Sequence, residues 1–570
     1  MSNEHPIAYF CAEYGITDLL PIYSGGLGVL AGDIYQEAAT EHFPFVAVGL
    51  YYQWGFFHQA IDNKGQEEYR QKVDAKTAGL ELMQGKNGDT LLIEVPMEER
   101  TVYLQVWRYR IGSTPLYLLD TDHWKNSDQD KRITDELYGG DQEKRIQQEI
   151  VLGIGGYRAL AALGITPSLY HMNEGHSAFL SLELIAENLL QLTPDISAAI
   201  EAAKLQLVFT NHTLVPAGND LFPHALVRRY LAHYAETSKL DMGLILNLGT
   251  NPENPDEFLM TALGMRMAAV SNAVSKAHAR KASELWPGSA LKAITNGVYL
   301  PGWIAPDMHH ILNEQTPGWR TDTINPKAWQ PLRKVSNERL WKVHQTLKEQ
   351  MLHEVYARSG IRLDPHVLTI VWARRFAQYK RPHLLFSDVM RLKEEFLFSP
   401  ERPIQVIIAG KAHPEDVAAK ELIEEITGLA EHELKHRVVF LDDYSMYLAK
   451  FLVAGADIWL NTPEYGMEAS GTSGMKSAAN GVLQYTIADG WAAEVDWRGI
   501  GFVLPNDQPE RRIYEQLAKT ILPLYYQRDA AGIPQQWTIM MKEGIIRIAP
   551  AFSTSRLLND YRRILYEPLL

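Results

Sequence analysis

Between Glu468 and Lys476 the chain reads EASGTSGMK. One carboxylate (Glu468), three hydroxyls (Ser470, Thr472, Ser473), two glycines (Gly471, Gly474) and one amine (Lys476) fall within nine residues. Small side chains let a backbone come close to another group, and hydroxyls with exposed N–H groups suit an oxyanion. Two chemistries use such a set. One is a loop for the phosphates of a sugar nucleotide; the other is a lysine that binds the aldehyde of pyridoxal phosphate while the loop takes the cofactor's phosphate. The segment is not a Walker-type loop. A second charged set, Arg374-Arg375-Phe376-Ala377-Gln378-Tyr379-Lys380-Arg381, follows the apolar run TIVWA and places four cations in eight residues. Such charges repel unless solvated or paired with anions. Guanidinium offers phosphate a planar fork and ammonium a compact point charge, although a solvated surface cluster would read the same way.

Two further stretches carry polar groups past apolar runs. Ser24-Gly25-Gly26-Leu27-Gly28 opens a helical pattern after PIAYF, where backbone N–H groups and the helix dipole favour an anion. A dinucleotide site would need an acidic residue at the end of the next strand, and PFVAVGLYYQ lacks one. Asn211-His212-Thr213 follows LQLVFT, and Asn173-Glu174-Gly175-His176 follows LYHM. Their histidines fit a site or a satisfied core equally. His171 and His176 lack the zinc-protease spacing, and no metal site is expected.

The elements that would position these groups are apolar runs alternating with helical periodicity, the pattern of parallel sheets covered on both faces. The second half reads HVLTIVWA, a helix over RPHLLFSDVMRLKEEF, PIQVIIAG, a helix over PEDVAAKELIEEITGLAE, RVVFLDDY, a helix over SMYLAKFLVAGA, DIWLN, the glycine-rich turn and VLQYTIADG. That is a doubly wound βαβ series, and its ligands are expected at the carboxyl ends of the strands. The segment PGWIAPDMHHILNEQTPGWRTDTINPKAWQP reads as a connection, which sets the expected domains at 1–320 and 321–570. LNDYRRILYEPLL reads as a last helix, expected to pack back on the first domain.

Composition bounds the partners. With 55 basic and 69 acidic residues the net charge is −14, so no basic excess recruits nucleic acid or an anionic membrane. One cysteine, Cys11, leaves neither an internal disulfide nor a cysteine zinc site. The start MSNEHPIAYF lacks a basic flank and a long apolar segment, and no apolar run long enough to span a membrane occurs. A cytoplasmic protein is expected.

Taken together the motifs resemble those of the α-glucan phosphorylase family: EASGTSGMK at Glu468–Lys476, NHT at Asn211–Thr213, GGLG at Gly25–Gly28, RRFAQYKR at Arg374–Arg381 and ITNGVYLPGW at Ile294–Trp303, the shorter bacterial type being most similar. The resemblance implies the GT-B architecture, an α/β fold of two Rossmann-like doubly wound domains facing a cleft. It also implies pyridoxal 5'-phosphate as cofactor. The implied reaction is the retaining, reversible transfer of a glucosyl unit between an α-glucan (glycogen, starch or maltodextrin) and phosphate, with α-glucose 1-phosphate as product. By the same resemblance Lys476 carries the cofactor, and Arg374, Gly471, Thr472, Ser473 and Trp303 surround it. Arg375 and Lys380 hold the substrate phosphate, with Gly25, Gly26 and Leu27 beside it. His212 (through its carbonyl), Glu468, Ser470 and Asn296 meet the glucosyl group. Two departures stand out: the segment between AEYG and SGGLG is compressed, and Ser445 stands where the familiar enzymes carry a phosphate-site arginine. A sugar-nucleotide-dependent α-glucan synthase is the alternative reading, and a homodimer is one open expectation for assembly.

Overall fold

The computed structural model describes residues 2, 4–62, 65–213, 219–286 and 290–570. The chain divides into two compact units: Met1–Phe57 with Arg70–Ile294 and Leu558–Leu570, and His58–Tyr69 with Thr295–Leu557. Among the described residues no helix is long and apolar enough to cross a membrane.

The first unit is built on a ten-stranded sheet. Its strands are β1 (Ile7–Phe10), β2 (Phe45–Leu50), β3 (Glu81–Leu82), β4 (Leu92–Met97), β5 (Arg100–Ile111), β6 (Thr114–Asp120), β7 (Leu169–Asn173), β8 (Leu207–Asn211), β9 (Val270–Ala273) and β10 (Lys292–Ala293). The order is β10-β9-β8-β7-β1-β2-β6-β5-β3, with β4 also pairing β5. From β10 to β6 neighbouring strands run parallel. β1, β2, β7 and β8 are buried at every position, as strands covered on both faces must be. β3, β4 and β5 extend the sheet antiparallel, and β5 alternates between buried and half-exposed positions. The search for fully apolar runs passes over this extension because its period is two and its turns are tight, with Glu98 at φ 54° and Gly112 at φ 58°.

The second unit contains a six-stranded, all-parallel sheet. Its strands are β11 (Leu368–Ala373), β12 (Ile404–Ala409), β13 (Val438–Leu441), β14 (Ile458–Asn461), β15 (Leu483–Thr486) and β16 (Gly501–Val503). They are ordered β13-β12-β11-β14-β15-β16, so the direction in which strands are added reverses between β11 and β14, the place where a crevice opens at the carboxyl ends of such a sheet. Three helices of this unit start on side-chain caps: α2 (Asn337–Ser359), which precedes β11, on Ser336, and the crossover helices α3 (Val417–Glu431) on Asp416 and α4 (Met446–Gly455) on Ser445. At the opposite, amino end of the sheet, Asp457 accepts hydrogen bonds from Lys348 Nζ at 2.5 Å, His344 Nε2 at 2.9 Å and the Thr369 N–H at 2.8 Å. Lys348 also donates to the Val367 carbonyl at 2.7 Å. All these residues are buried. Burial alone would raise the Asp457 pKa, but Lys348 and His344 outweigh it and hold the carboxylate low.

Two expectations change. The helix read over 381–396 is broken into a 3-10 turn (Pro382–Phe386), a short α-turn (Val389–Arg391) and a π-turn (Leu392–Leu397), because the Asp388 carboxylate caps the Arg391 N–H and starts a new turn. The stretch read as a connection folds into short helices, Leu300–Trp303, Pro306–Gln315 and Pro326–Trp329, with Trp319 and Trp329 fully buried. Proline at N1 or N2 starts each of these helices, so the residues that made the segment look irregular are its helix starts.

Candidate active site

In the second unit the chemistry-bearing residues gather at the carboxyl ends of β11 and β14. Arg374, the first residue past β11, donates through Nη1 to Asn461 Oδ1, the last residue of β14, and through Nη2 to Glu468 Oε2 at 2.5 Å. Lys380 Nζ lies 3.3 and 3.2 Å from the two Glu468 oxygens. Burial would push the Glu468 pKa up, but Arg374 and Lys380 outweigh it and bring it down to about 2. One buried carboxylate thus faces the largely buried Arg374 guanidinium and the buried Lys380 ammonium, and the three charges leave a net charge of +1. Arg374 Nε remains buried without a hydrogen-bond partner among the described residues, and the neighbouring Arg375 side chain is exposed.

After Glu468 the backbone turns through Gly471, at φ +74°, and enters α5 (Ser473–Ala479). Lys476 on α5 is buried, and its Nζ sits 3.8 Å from the centre of the Trp303 ring. Ser473 Oγ accepts from Trp459 Nε1 at 3.2 Å, tying the start of α5 to β14. Gly474 is required by packing: a Cβ there would lie 2.8 Å from both Gln484 Oε1 and Trp491 Cζ2. Asn296 is buried with its Oδ1 unpartnered among the described residues, while its carbonyl accepts from Arg556 Nη2 at 2.9 Å. Ser470 is buried, and its carbonyl accepts from the Trp491 N–H at 3.0 Å.

In the first unit the glycine-rich turn follows β1 and opens α1 (Gly26–Thr40). Its glycines divide by role. A Cβ on Gly28 would lie 2.7 Å from Glu13 Cβ, and one on Gly32 would lie 1.9 Å from the Gly15 carbonyl oxygen, so these two allow close packing. A Cβ on Gly25 or Gly26 would meet nothing within 4 Å; these two bare the backbone beside half-buried Leu27. The turn is held from below by buried Glu13, whose carboxylate accepts from the Ser24 N–H at 2.6 Å and from Tyr138 OH at 2.5 Å.

His212 lies just past β8, and the two residues at the end of neighbouring β7 fix it. Glu174 Oε2 accepts from the His212 N–H at 2.8 Å and from Thr213 Oγ1 at 3.0 Å, and Asn173 Oδ1 accepts from His212 Nε2 at 2.6 Å. Burial lowers the His212 pKa to about 3, so the imidazole is neutral at pH 7. Glu174 adopts φ 75°, ψ 168°, a region that glycine alone visits freely and that costs a side-chain-bearing residue about 1–3 kcal/mol. His176 is turned away and pairs with Asp220 at 3.1 Å.

Reading for strand-end polar residues missed two supports. Asn480 donates to the Trp303 carbonyl at 2.9 Å and to the Lys476 carbonyl at 3.0 Å, and accepts from the Ala305 N–H at 2.8 Å, so one amide joins the lysine's helix to the tryptophan's. In sequence it precedes Gly481, at φ +85°, and the pair reads only as a helix stop. Asp489 Oδ2 accepts from the Gly466 and Glu468 N–H groups, both at 2.9 Å, and thereby fixes the Glu468 turn. Its signal was present, a carboxylate just past β15. Ser445 Oγ accepts from the Leu448 N–H at 3.4 Å and serves as the cap of α4.

Comparison with known proteins covers the same ground. A family model described as carbohydrate phosphorylase matches residues 165–499. A maltodextrin phosphorylase of Thermococcus litoralis is 38% identical over 602 residues, which cover 100% of this chain and 71% of that protein. A glycogen phosphorylase of Mycobacterium tuberculosis is 38% identical over 614 residues, 99% of this chain and 71% of its own. One from Aquifex aeolicus is 36% identical over 601 residues, 99% of this chain and 86% of its own. Family match and full-length identity agree: the chain belongs to the carbohydrate phosphorylase family.

Proposed function

We propose that this protein is a cytoplasmic α-1,4-glucan phosphorylase that uses pyridoxal 5'-phosphate. It moves the terminal glucosyl unit of glycogen, starch or maltodextrin to inorganic phosphate with retention, giving α-glucose 1-phosphate, and runs in both directions. The observation that carries this reading is the buried Lys476 amine against the face of Trp303, in a chain that aligns from end to end with proteins named for that activity. The donor set fits the cofactor. Lys476 supplies an amine for its aldehyde, Trp303 an aromatic face, and Arg374 a buried, unpartnered Nε for an anion; Gly471, Thr472 and Ser473 complete the loop. When bound, the cofactor supplies a phosphate whose second pKa of about 6 suits proton exchange at neutral pH.

The chain's own residues then have separable tasks. Two phosphates side by side repel by about 4 kcal/mol per pair of unit charges at 4 Å and an effective dielectric of 20. Arg374, Arg375 and Lys380 offset that cost, with exposed Arg375 left to take incoming phosphate. Gly25, Gly26 and Leu27 offer backbone N–H groups to the same anion. The His212 carbonyl, Glu468, Ser470 and Asn296 bind the glucosyl hydroxyls, and neutral His212 adds no charge against the developing oxocarbenium centre. The GT-B arrangement of two Rossmann-like domains, 1–320 and 321–570, is part of the proposal.

The test is the purified protein's absorption spectrum together with release of α-glucose 1-phosphate from maltodextrin and phosphate. The parent should show a near-ultraviolet cofactor band and phosphorolysis, and Lys476→Ala, though folded, neither. Phosphorolysis by Lys476→Ala, or glucosyl transfer by the parent from a sugar nucleotide alone, would overturn the reading.

A further inference from the structure

The chemistry assigned above leaves one buried acid of the first unit unused. Glu149 stands on the helix Gln142–Ile150 with 3% of its surface exposed, and among the described residues neither of its carboxyl oxygens receives a hydrogen bond. An ionised carboxylate in that state would hold its full charge in the core with no donor against it, which is among the most costly conditions a side chain can meet.

What Glu149 does meet is a second acid. Glu149 and Asp220 share a hydrogen bond, and two carboxyl groups can do so only if one of them holds a proton. The surroundings decide which. Both Asp220 oxygens accept from Arg145 Nη2 at 2.9 Å, one of them also accepts from Arg145 Nε at 3.2 Å, and Asp220 pairs with His176 Nε2 at 3.1 Å. Burial would raise the Asp220 pKa, but Arg145 and His176 outweigh it and hold it low. Glu149 lacks such donors. Burial and the charge of Asp220 raise its pKa well above the usual carboxylate range, against the opposing pull of Arg145. The proton therefore belongs to Glu149, and Asp220 accepts it. The other ionisable groups around the pair are Glu13, Tyr52 and Tyr138, and burial keeps both phenols neutral.

Asp220 is a junction between the two parts of the first unit's candidate site. On one side Arg145 lies 4.6 Å from the centre of the Tyr138 ring, Tyr138 OH donates to Glu13, and Glu13 holds the Ser24 N–H of the glycine-rich turn. On the other side His176 follows two residues after Glu174, whose carboxylate holds the His212 N–H.

We propose that Glu149 is a positioning residue that works as a neutral acid: its proton, donated to Asp220, sets that carboxylate between Arg145 and His176 and so holds the glycine-rich turn and His212 in place for one substrate. The inference rests on the phosphorylase reading above. A neutral donor suits this position because it fixes Asp220 without adding a charge to the core. An ionised glutamate would repel Asp220 and loosen both arms, whereas glutamine keeps an N–H donor and cannot ionise.

The test compares the parent with Glu149→Gln and Glu149→Leu, each loaded with pyridoxal 5'-phosphate. The infrared spectrum of the parent at neutral pH, minus that of Glu149→Gln, should contain the carbonyl band of an un-ionised carboxyl group; carboxylate bands in its place would overturn the proposal. Denaturant unfolding gives a second measure. Above the ordinary carboxylate pKa of 4.5 the folded protein keeps a proton that the unfolded chain releases, so the parent's folding equilibrium constant should fall about tenfold per pH unit relative to that of Glu149→Gln, until Glu149 ionises in the fold. Equal pH dependence in the two proteins overturns the proposal as well. Phosphorolysis of maltodextrin then reads the positioning. Glu149→Leu, which has no donor for Asp220, should lose about tenfold or more of kcat at neutral pH, while Glu149→Gln stays within about twofold of the parent. A leucine variant as active as the parent, or a glutamine variant as impaired as the leucine one, would overturn the positioning role. The infrared and glutamine measurements stand whether or not the leucine variant folds. A parent that shows the acid band but no phosphorolysis would sink the proposed activity and leave the protonated pair in place.

Discussion

Replacing Glu468 with glutamine isolates one buried charge and asks what the cations around it require. The carboxyl is held at about 2 instead of its ordinary 4.5, and each pH unit of that difference is worth about 1.4 kcal/mol. Ionised Glu468 therefore contributes about 3 kcal/mol to folding at neutral pH. Because its pKa is depressed, that stability is complete above pH 4.5 and lost as pH falls from 4.5 toward 2. The neutral amide leaves Arg374 and Lys380 buried without a counter-charge. The thermal transition of the second unit should fall by about 5–10 °C at pH 7, and the gap to the parent should close as the pH is lowered toward 3. Inorganic phosphate should substitute for the missing charge, returning about 2.7 kcal/mol at one hundred times its Kd, a larger rise than in the parent. Differential scanning calorimetry of both proteins at several pH values, with and without phosphate, reads each quantity. Equal transition temperatures at pH 7, or the same phosphate response in both proteins, would refute the view that Glu468 stands in for an anion on these two cations.

Two further predictions concern strain and the core. Glu174→Gly relieves about 1–3 kcal/mol of backbone strain but removes the acceptor for the His212 N–H and Thr213 hydroxyl; the variant should melt within a few degrees of the parent yet lose about tenfold or more of kcat, and unchanged kcat would remove Glu174 from the support of His212. Lys348→Met strands the Asp457 carboxylate in the core and should cost about 3–5 kcal/mol by denaturant unfolding, whereas Lys348→Met/Asp457→Leu should recover much of it; a double variant no better than the single would mean that the pair contributes more than its own desolvation.

Motif-bearing residues were legible because parallel strands buried on both faces leave unbroken apolar runs, and function collects past their carboxyl ends. TIVWA before Arg374, LQLVFT before His212 and IWLN before the glycine-rich turn all announced themselves this way. Supports were harder to see. Asn480 looks like the end of a helix, and nothing local shows that its amide reaches Trp303, 177 residues earlier. The antiparallel extension was hidden because half-exposed strands interleave polar residues with apolar ones, and the helices between Leu300 and Trp329 because prolines that start helices resemble those that break them.

By itself the sequence determined the parallel α/β class, the order of the motifs and the residues that bear amines, guanidinium groups and hydroxyls, since these follow from local periodicity and side-chain type. Only the tertiary structure decided which charges meet. It joined Arg374 and Lys380 to Glu468 across roughly ninety residues of chain and set the Lys476 amine on the Trp303 ring. The reason is that a buried charge or an ordered aromatic ring is defined by its partners, and strand order brings those partners together from positions that local sequence does not connect.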